Sequence, residues 1–400
     1  MSTRVVVLGA IVVALLSCPL PSQAAEQDVG LSLRYRAEAV DQDGFEDNAL
    51  ASTLLLRLNY ETQDWNAWNA FVEFDYVAEV ASDNFNSGAG TSSAARARYP
   101  VVPDPNGGDL NQIYVQRGFA DGGLLRIGRQ RIVLDNQRFV GGVAWRQNEQ
   151  TYDGVSVTYP VNPSFETFYA YVNNVNRIFG NRVPGGDHKS NTHLFEGRWN
   201  TSSGSLLMNA YLLDNDDVAA FSTRTVGLAW KGRTEVSGRR LIYRAQYARQ
   251  NDNGDNPTSF SANYWRVDGK IALDVLNVGV GIEILGSGGE GGGAFATPLA
   301  TLFAFNGWTD RFLATPATGL EDRWISLSGK AGNVNWLVRA HDFQSDRGGI
   351  DYGQELNVSL GTKLGSKKQY SVLLRGATFS GDSTVADATK LWLLVSRKLR

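Results

Sequence analysis

Cysteine is almost missing from this chain of 400 residues: its single thiol, Cys18, lies near the start. If the opening segment is removed, the remaining chain can form no disulfide and offers no thiolate to a metal or an oxidant. Histidine is nearly as scarce, with 3 in all. His188, His193 and His341 have no metal-like spacing and join no Ser-His-Asp arrangement, which removes the commonest hydrolase and metalloenzyme designs. Beyond the opening segment no apolar run reaches the roughly 18 residues that mark a membrane-crossing helix. Any span must therefore be made of strands. No block of like charges occurs, and the net charge is only −3, so nothing points to a nucleic-acid partner.

What is present begins with a leader. Met1–Ala25 carries Arg4, an apolar run Val5–Leu16 and Ser22-Gln23-Ala24 as a small-x-small cleavage site, the pattern of a secretory signal peptide. Leu15-Leu16-Ser17-Cys18 resembles a lipoprotein box only loosely. One domain, residues 26–400, is expected to follow.

After the leader, strand-length amphipathic segments are joined by connectors that alternate between long and short. The short ones are Glu61–Asp64, Phe119–Gly123, Pro160–Pro163, Asn200–Gly204, Lys231–Gly238, Ala272–Val275, Lys330–Asn333 and Gly365–Lys368. Between them lie Asp41–Ala49, Val80–Asp109, Arg131–Gln150 and Gly286–Glu321. A soluble sandwich has no reason to put its long loops at one end, whereas a bilayer barrel has tight periplasmic turns and longer extracellular loops. The strands alternate with period two. Leu54, Leu56, Leu58 and Tyr60 oppose Arg57, Asn59 and Glu61, and Val334, Trp336 and Val338 oppose Asn335, Arg339 and His341. Charges sit opposite too many apolar stripes for both faces to be dry, so the apolar faces are read as facing lipid. The 10 Trp and 15 Tyr suit interfacial girdles, and a mean hydropathy of −0.24 fits alternate residues facing lipid. The expectation is an all-β transmembrane antiparallel barrel of about 18 strands, its backbone roughly 36 Å across, with both termini at the periplasmic end. Such a barrel must hold water, a loop plug, or both.

On the faces assigned to the lumen, basic side chains outnumber acidic ones by about six. Asp41, Asp43, Glu46 and Asp47 crowd one extracellular loop, and Asp214, Asp216 and Asp217 another. The lumen should concentrate anions. Alternatively, its charges pair off across strands and only solvate the wall.

A stretch from Leu125-Arg126-Ile127-Gly128-Arg129-Gln130 through Arg138, Val143-Ala144-Trp145-Arg146-Gln147 and Thr151-Tyr152-Asp153-Gly154-Val155 resembles the signature of bacterial alginate export porins. Pro298-Leu299-Ala300-Thr301, Phe305-Asn306-Gly307-Trp308-Thr309-Asp310 and His341-Asp342-Phe343 with Tyr352-Gly353-Gln354-Glu355-Leu356 resemble it too. The resemblance implies an outer-membrane channel, an arginine-lined lumen that passes polyuronate chains, and a monomer. An uptake porin for small acidic solutes fits the same residues, and an outer-membrane enzyme or an adhesin is the alternative from another class.

The loop after Gln130 has few breaks and a Val/Trp core, so it is expected to fold into the barrel and narrow it. Arg129, Arg131, Arg138 and Arg146 would then be fixed cationic contacts, since arginine binds carboxylates bidentately and keeps its charge. The same arginines could instead neutralise Asp135, Glu149 and Asp153. Arg129 falls on the lipid-facing parity of its strand unless a bulge intervenes. The wall residues Arg57, Arg126, Arg244, Arg339 and Glu355 complete the expected pore contacts, with Asp135 and Asp153. The apolar loop Gly286–Glu321 should cap the barrel, with gating as the functional alternative. Gly286-Ser287-Gly288-Gly289-Glu290-Gly291 lacks the βαβ context of a dinucleotide site. No cofactor is expected, beyond Ca²⁺ or Mg²⁺ at acidic loops such as Asp252-Asn253-Gly254-Asp255, bridging lipopolysaccharide. Outer-membrane lipids and the barrel assembly machinery are the implied partners, although the chain ends Arg397-Lys398-Leu399-Arg400 rather than on an aromatic residue.

Overall fold

The computed structural model describes residues 29–289, 292–382 and 384–399; the expected leader lies outside them. Strands β1 (Val29–Gln42), β2 (Ala49–Glu61), β3 (Trp68–Asn84) and β4 (Gly107–Gly118) open the chain. β5 (Leu124–Gln130) follows and is only 7 residues long. β6 (Thr151–Asn162), β7 (Phe165–Asn176), β8 (Asp187–Thr201) and β9 (Gly204–Leu213) complete one half. The second half holds β10 (Thr223–Val236), β11 (Arg239–Asp252), β12 (Ser261–Ala272), β13 (Asn277–Leu285) and β14 (Leu320–Ala331). β15 (Val334–Gln344), β16 (Asp351–Leu364), β17 (Tyr370–Gly381) and β18 (Ala388–Lys398) end it.

Each strand pairs antiparallel with its neighbours in sequence, and β1 pairs with β18, so the 18-stranded sheet closes on itself. Closure removes both edges, which leaves no unpaired ladder facing lipid at the join. The expected short connectors all lie at one end, with Val29 and Lys398. The longest, Lys231–Gly238, shrinks to Ser237 and Gly238, because β10 runs on to Val236 and β11 starts at Arg239. At the other end the alternation is less strict than the sequence suggests. Residues 43–48, 345–350 and 382–387 are little longer than turns, and the length is concentrated in 85–106, 131–150 and 286–319.

The two faces of the wall are inverted relative to a soluble protein. Leu58 is 47% exposed, Trp265 51% and Val280 54%, while Arg36 and Glu283, on inward faces, are each 1% exposed. Outward alternation continues through Ile113 and Val115, Val226 and Leu228, and Leu356, Val358 and Leu360. In water this surface would be unfavourable by about 25 cal/mol for each Å² of apolar area; in hydrocarbon it is the expected lining. No helix among the described residues is long and apolar enough to cross a membrane, so the strands make the crossing.

This orientation can be checked on β12. Replacing the outward Val267 by Arg should destabilise the barrel by about 2–4 kcal/mol in lipid. Urea-induced unfolding in vesicles reads this directly, and an unchanged midpoint would place Val267 away from the hydrocarbon.

Candidate functional site

The site begins where the short β5 ends. Beyond Gln130 the chain leaves the wall and turns inward, because Ile132, Leu134 and Val140 pack on the inward side chains of Tyr152, Ala170, Leu194 and Tyr211. The loop 286–319 also folds inward and buries Phe295, Leu299, Phe303, Trp308 and Phe312. The two loops pair with each other. The amide of Gly141 donates to the carbonyl of Leu299 at 2.9 Å, and that of Thr301 to Gln137 at 3.0 Å. Trp145 and Phe303 stack with centroids 4.1 Å apart. The loop expected to narrow the barrel thus does fold into it, and the loop expected to cap it joins it there as one unit.

Ion pairs pin this unit to the wall. Arg138, 2% exposed, meets Glu283 at 3.0 Å and Asn306 at 2.8 Å, and lies 4.8 Å above the Phe305 ring. Arg146 pairs with Glu38 at 2.9 Å and with Asp310 at 3.2 Å, and Lys390 reaches the same Asp310 oxygen at 2.9 Å. Arg57 binds Asp75 at 2.6 Å and Glu149 at 2.7 Å. Arg131 joins the cluster through Glu149 and through Glu73 at 3.2 Å. Asp135 accepts from Lys231 at 2.5 Å and from Arg244. Backbone tethers add to these: the Gln147 amide donates to Asp104 at 2.8 Å, and Arg34 donates to the Ala144 carbonyl at 2.9 Å.

Burial by itself would raise the Asp135 carboxyl, but Arg244 and Lys231 beside it hold it below its ordinary 3.8. Glu149 likewise stays below 4.5, burial being outweighed by Arg57 and Arg131.

These contacts revise several expectations. Arg131, Arg138 and Arg146 are fixed, yet as compensated charges rather than free cationic contacts, and Arg57 and Arg244 are compensated with them. Their partners Glu38, Glu73 and Glu283 lie on distant strands, so the loop sequence could not show them. Arg129 and Asp153 do not face the lumen at all. Gln130 points inward to Ser156 at 2.6 Å, so the next residue back, Arg129, points outward beside the exposed Ile127. There it pairs with Asp153 at 2.8 Å and borders a shallow recess of ≈ 450 Å³ with Ile113, Val155 and Tyr171. Glu355 is lumenal but occupied: it accepts from the Trp308 and Thr309 amides and from the Thr309 hydroxyl. Gly307 (φ +85°) makes this approach possible, since a Cβ there would lie 2.4 Å from a Glu355 carboxylate oxygen.

A second set of cations has no carboxylate within ion-pairing distance among the described residues. Arg375 on β17 lies 4.6 Å from the Trp145 ring and 4.5 Å from Trp308. Its Nε is buried without a hydrogen-bond partner, as are those of Arg339 on β15 and Arg311 in the loop. Nearby Asn357 is fully buried with both amide atoms unmatched, and the indole nitrogens of Trp145 and Trp392 are unmatched as well. Arg126, towards the short-turn end, makes one bond, to Gln116 at 2.8 Å. Period-two reading places Arg375 in the lumen but does not single it out; its freedom depends on which acids the loops bring elsewhere.

A family model described as alginate export matches residues 25–275. No curated protein matches the chain. Among solved structures, OccAB4 of Acinetobacter baumannii is similar at 13% identity and a TM-score of 0.73, over 94% of this chain and 99% of that one. OpdK of Pseudomonas aeruginosa, solved with vanillate, gives 14%, 0.71, 93% and 98%. OpdO of the same organism gives 15%, 0.69, 92% and 96%.

The depressed carboxylates predict how the loop responds to acid. A group whose folded pKa lies below its unfolded value stabilises the fold above the unfolded value and loses that contribution as pH falls through the folded one. Protection of 131–150 against hydrogen exchange, taken relative to the intrinsic rate at each pH, should therefore be constant from neutrality down to the ordinary 4.5 of Glu149, should begin to fall below it, and should fall further below the 3.8 of Asp135. Loosening already above pH 5 would show that other groups hold the loop.

Proposed function

The chain belongs to the alginate export family of outer-membrane porins, and from that premise we propose that it passes small acidic solutes, carboxylates in particular. The observation that carries this reading is Arg375, a lumenal cation with no carboxylate within ion-pairing distance among the described residues, beside the faces of Trp145 and Trp308; the Nε atoms of Arg311 and Arg339 are likewise without a hydrogen-bond partner. The bland expectation of a wall that neutralises itself describes Arg57, Arg138 and Arg244 well. It leaves Arg375 unexplained.

The chemistry follows from the side chains. A solute carboxylate meets the Arg375 guanidinium, whose planar fork offers paired donors, and the indole faces accommodate the apolar part of the solute. Arg339 adds a second cation on β15, and Arg126 a third on β5 towards the short-turn end. A succession of weak sites attracts anions yet lets them leave, and the flux follows the solute gradient. Vanillate, bound by the structurally similar OpdK, is a carboxylate on an aromatic ring and has the size and chemistry that this set would accept. The family match supports a second reading, passage of polyuronate chains, which present one carboxylate per sugar; for a chain to thread, the loop pair has to be displaced along its length. Lipopolysaccharide at the acidic loops and the barrel assembly machinery are the partners proposed for the intact protein, with a leader directing export.

Planar-bilayer recording under a KCl gradient tests the reading. The reversal potential should report anion preference, and a small carboxylate such as benzoate should block chloride current. Arg375→Gln should weaken that block by about 1.5–3 kcal/mol, the value of a charge-assisted hydrogen bond. Block that appears only with oligo-uronates and grows with their length would favour the polymer instead. A cation-selective pore would end both readings.

A further inference from the structure

Asp310 occupies an unusual position. It belongs to the loop 286–319, yet its carboxylate is buried on two cations from separate elements: Arg146 of the other loop at 3.2 Å and Lys390 of β18 at 2.9 Å. Both cations touch the same oxygen, and their side chains are 5% and 4% exposed. Among the described residues Lys390 forms no other ion pair, although Glu38, the partner of Arg146, is also within its electrostatic reach. Two converging cations, walled by Trp145, Trp308 and Phe303, are what a channel would present to a transported carboxylate.

The segment that delivers Asp310 is held under backbone strain. Asn306 (φ +52°) and Asp310 (φ +61°) adopt the left-handed conformation that a Cβ disfavours, with Gly307 (φ +85°) between them. The loop therefore gives up part of what its carboxylate gains, and a free carboxylate has no such cost. A cation with no carboxylate within ion-pairing distance lies alongside: Arg375 is 4.5 Å from the ring of Trp308, two residues before Asp310.

We propose that Arg146 and Lys390 form a carboxylate site for the transported solute, and that Asp310 fills it as an internal stand-in. A solute that passes on from Arg375 competes for the two cations, displaces Asp310 and releases the left-handed segment of the loop pair. Its class is a compact monocarboxylate, small enough to take the place of one aspartate side chain; benzoate is too bulky for that place, stays at Arg375 and blocks. The inference rests on the reading of the chain as an anion channel and adds to it a coupling between substrate and pore opening, reciprocal as any such coupling must be.

The test is single-channel recording of the full chain, wild type against Asp310→Asn and Asp310→Glu, with potassium acetate replacing KCl at constant ionic strength. Heat-modifiable gel mobility reports whether each variant is a folded barrel, and Asp310→Glu, which keeps the charge, should behave as wild type. Acetate should raise the open fraction of wild type by about fivefold or more, the lower end of typical coupling between sites. Asp310→Asn should already be open to that degree in KCl and should not respond to acetate. A wild type indifferent to acetate overturns the proposal, as does an Asp310→Asn channel that still opens on acetate or stays as closed as wild type. Those results leave anion selectivity intact; a cation-selective reversal potential, by contrast, removes the channel reading underneath it.

Discussion

A charge inside this barrel has to be neutralised or put to use, because the wall around it is low in dielectric and outward escape leads only to lipid. That constraint organises the lumen. Leaving an ionised group uncompensated in such surroundings costs several kcal/mol, so the inward loops enter carrying charges opposite to those on the wall they meet. Asp135 goes to Arg244 and Lys231, Arg138 to Glu283, Arg146 to Glu38, and Glu149 to Arg57. The loops' route across the lumen is the route along which their charges are matched. Apolar packing then fills the space between these pins, most visibly where Trp145 lies on Phe303.

The same rule makes the exceptions meaningful. Arg57, Arg138 and Arg244 are compensated within the chain by ion pairs, whereas Arg339 and Arg375 form none, although acids stand on neighbouring strands. Glu355 is turned to backbone amides of the loop, and Asp322 to His341 at 2.7 Å. The wall thus divides into a compensated part, which holds the loops in place, and an uncompensated part, which can hold something that comes and goes. A uniformly positive tube, the simplest picture of an anion channel, would need neither loop. Asp310 stands at the boundary between the two parts, a compensating charge on a segment held in the left-handed conformation.

Much of the architecture was legible without coordinates. The eight tight turns, the eighteen strands and the face that each strand turns to lipid are local properties, written in turn chemistry and in a period of two. The inward course of both loops could also be read, since segments holding Val140, Trp145, Phe303 and Phe312 are too apolar to lie in water. The candidate site was legible only in part. Of the arginines expected within the barrel, Arg138 and Arg146 looked like the active cations and are compensated, whereas Arg375, one of many basic residues assigned to the lumen, has no carboxylate within ion-pairing distance. Arg129 shows the opposite case: period two sets it on the lipid-facing side of its strand, and it lies there, paired with Asp153, rather than among the pore contacts.

The sequence by itself determined the barrel, its orientation and its position in a bilayer, because alternation and turn residues act over a few neighbouring positions. Only the tertiary structure decided which charges cancel. The pairs that matter join residues as far apart as Arg138 and Glu283 or Arg146 and Glu38, brought together by closure of the sheet and by the fall of two loops through its centre. No periodicity records which carboxylate a loop will reach, since Coulomb attraction depends on distance in space and is indifferent to distance along the chain.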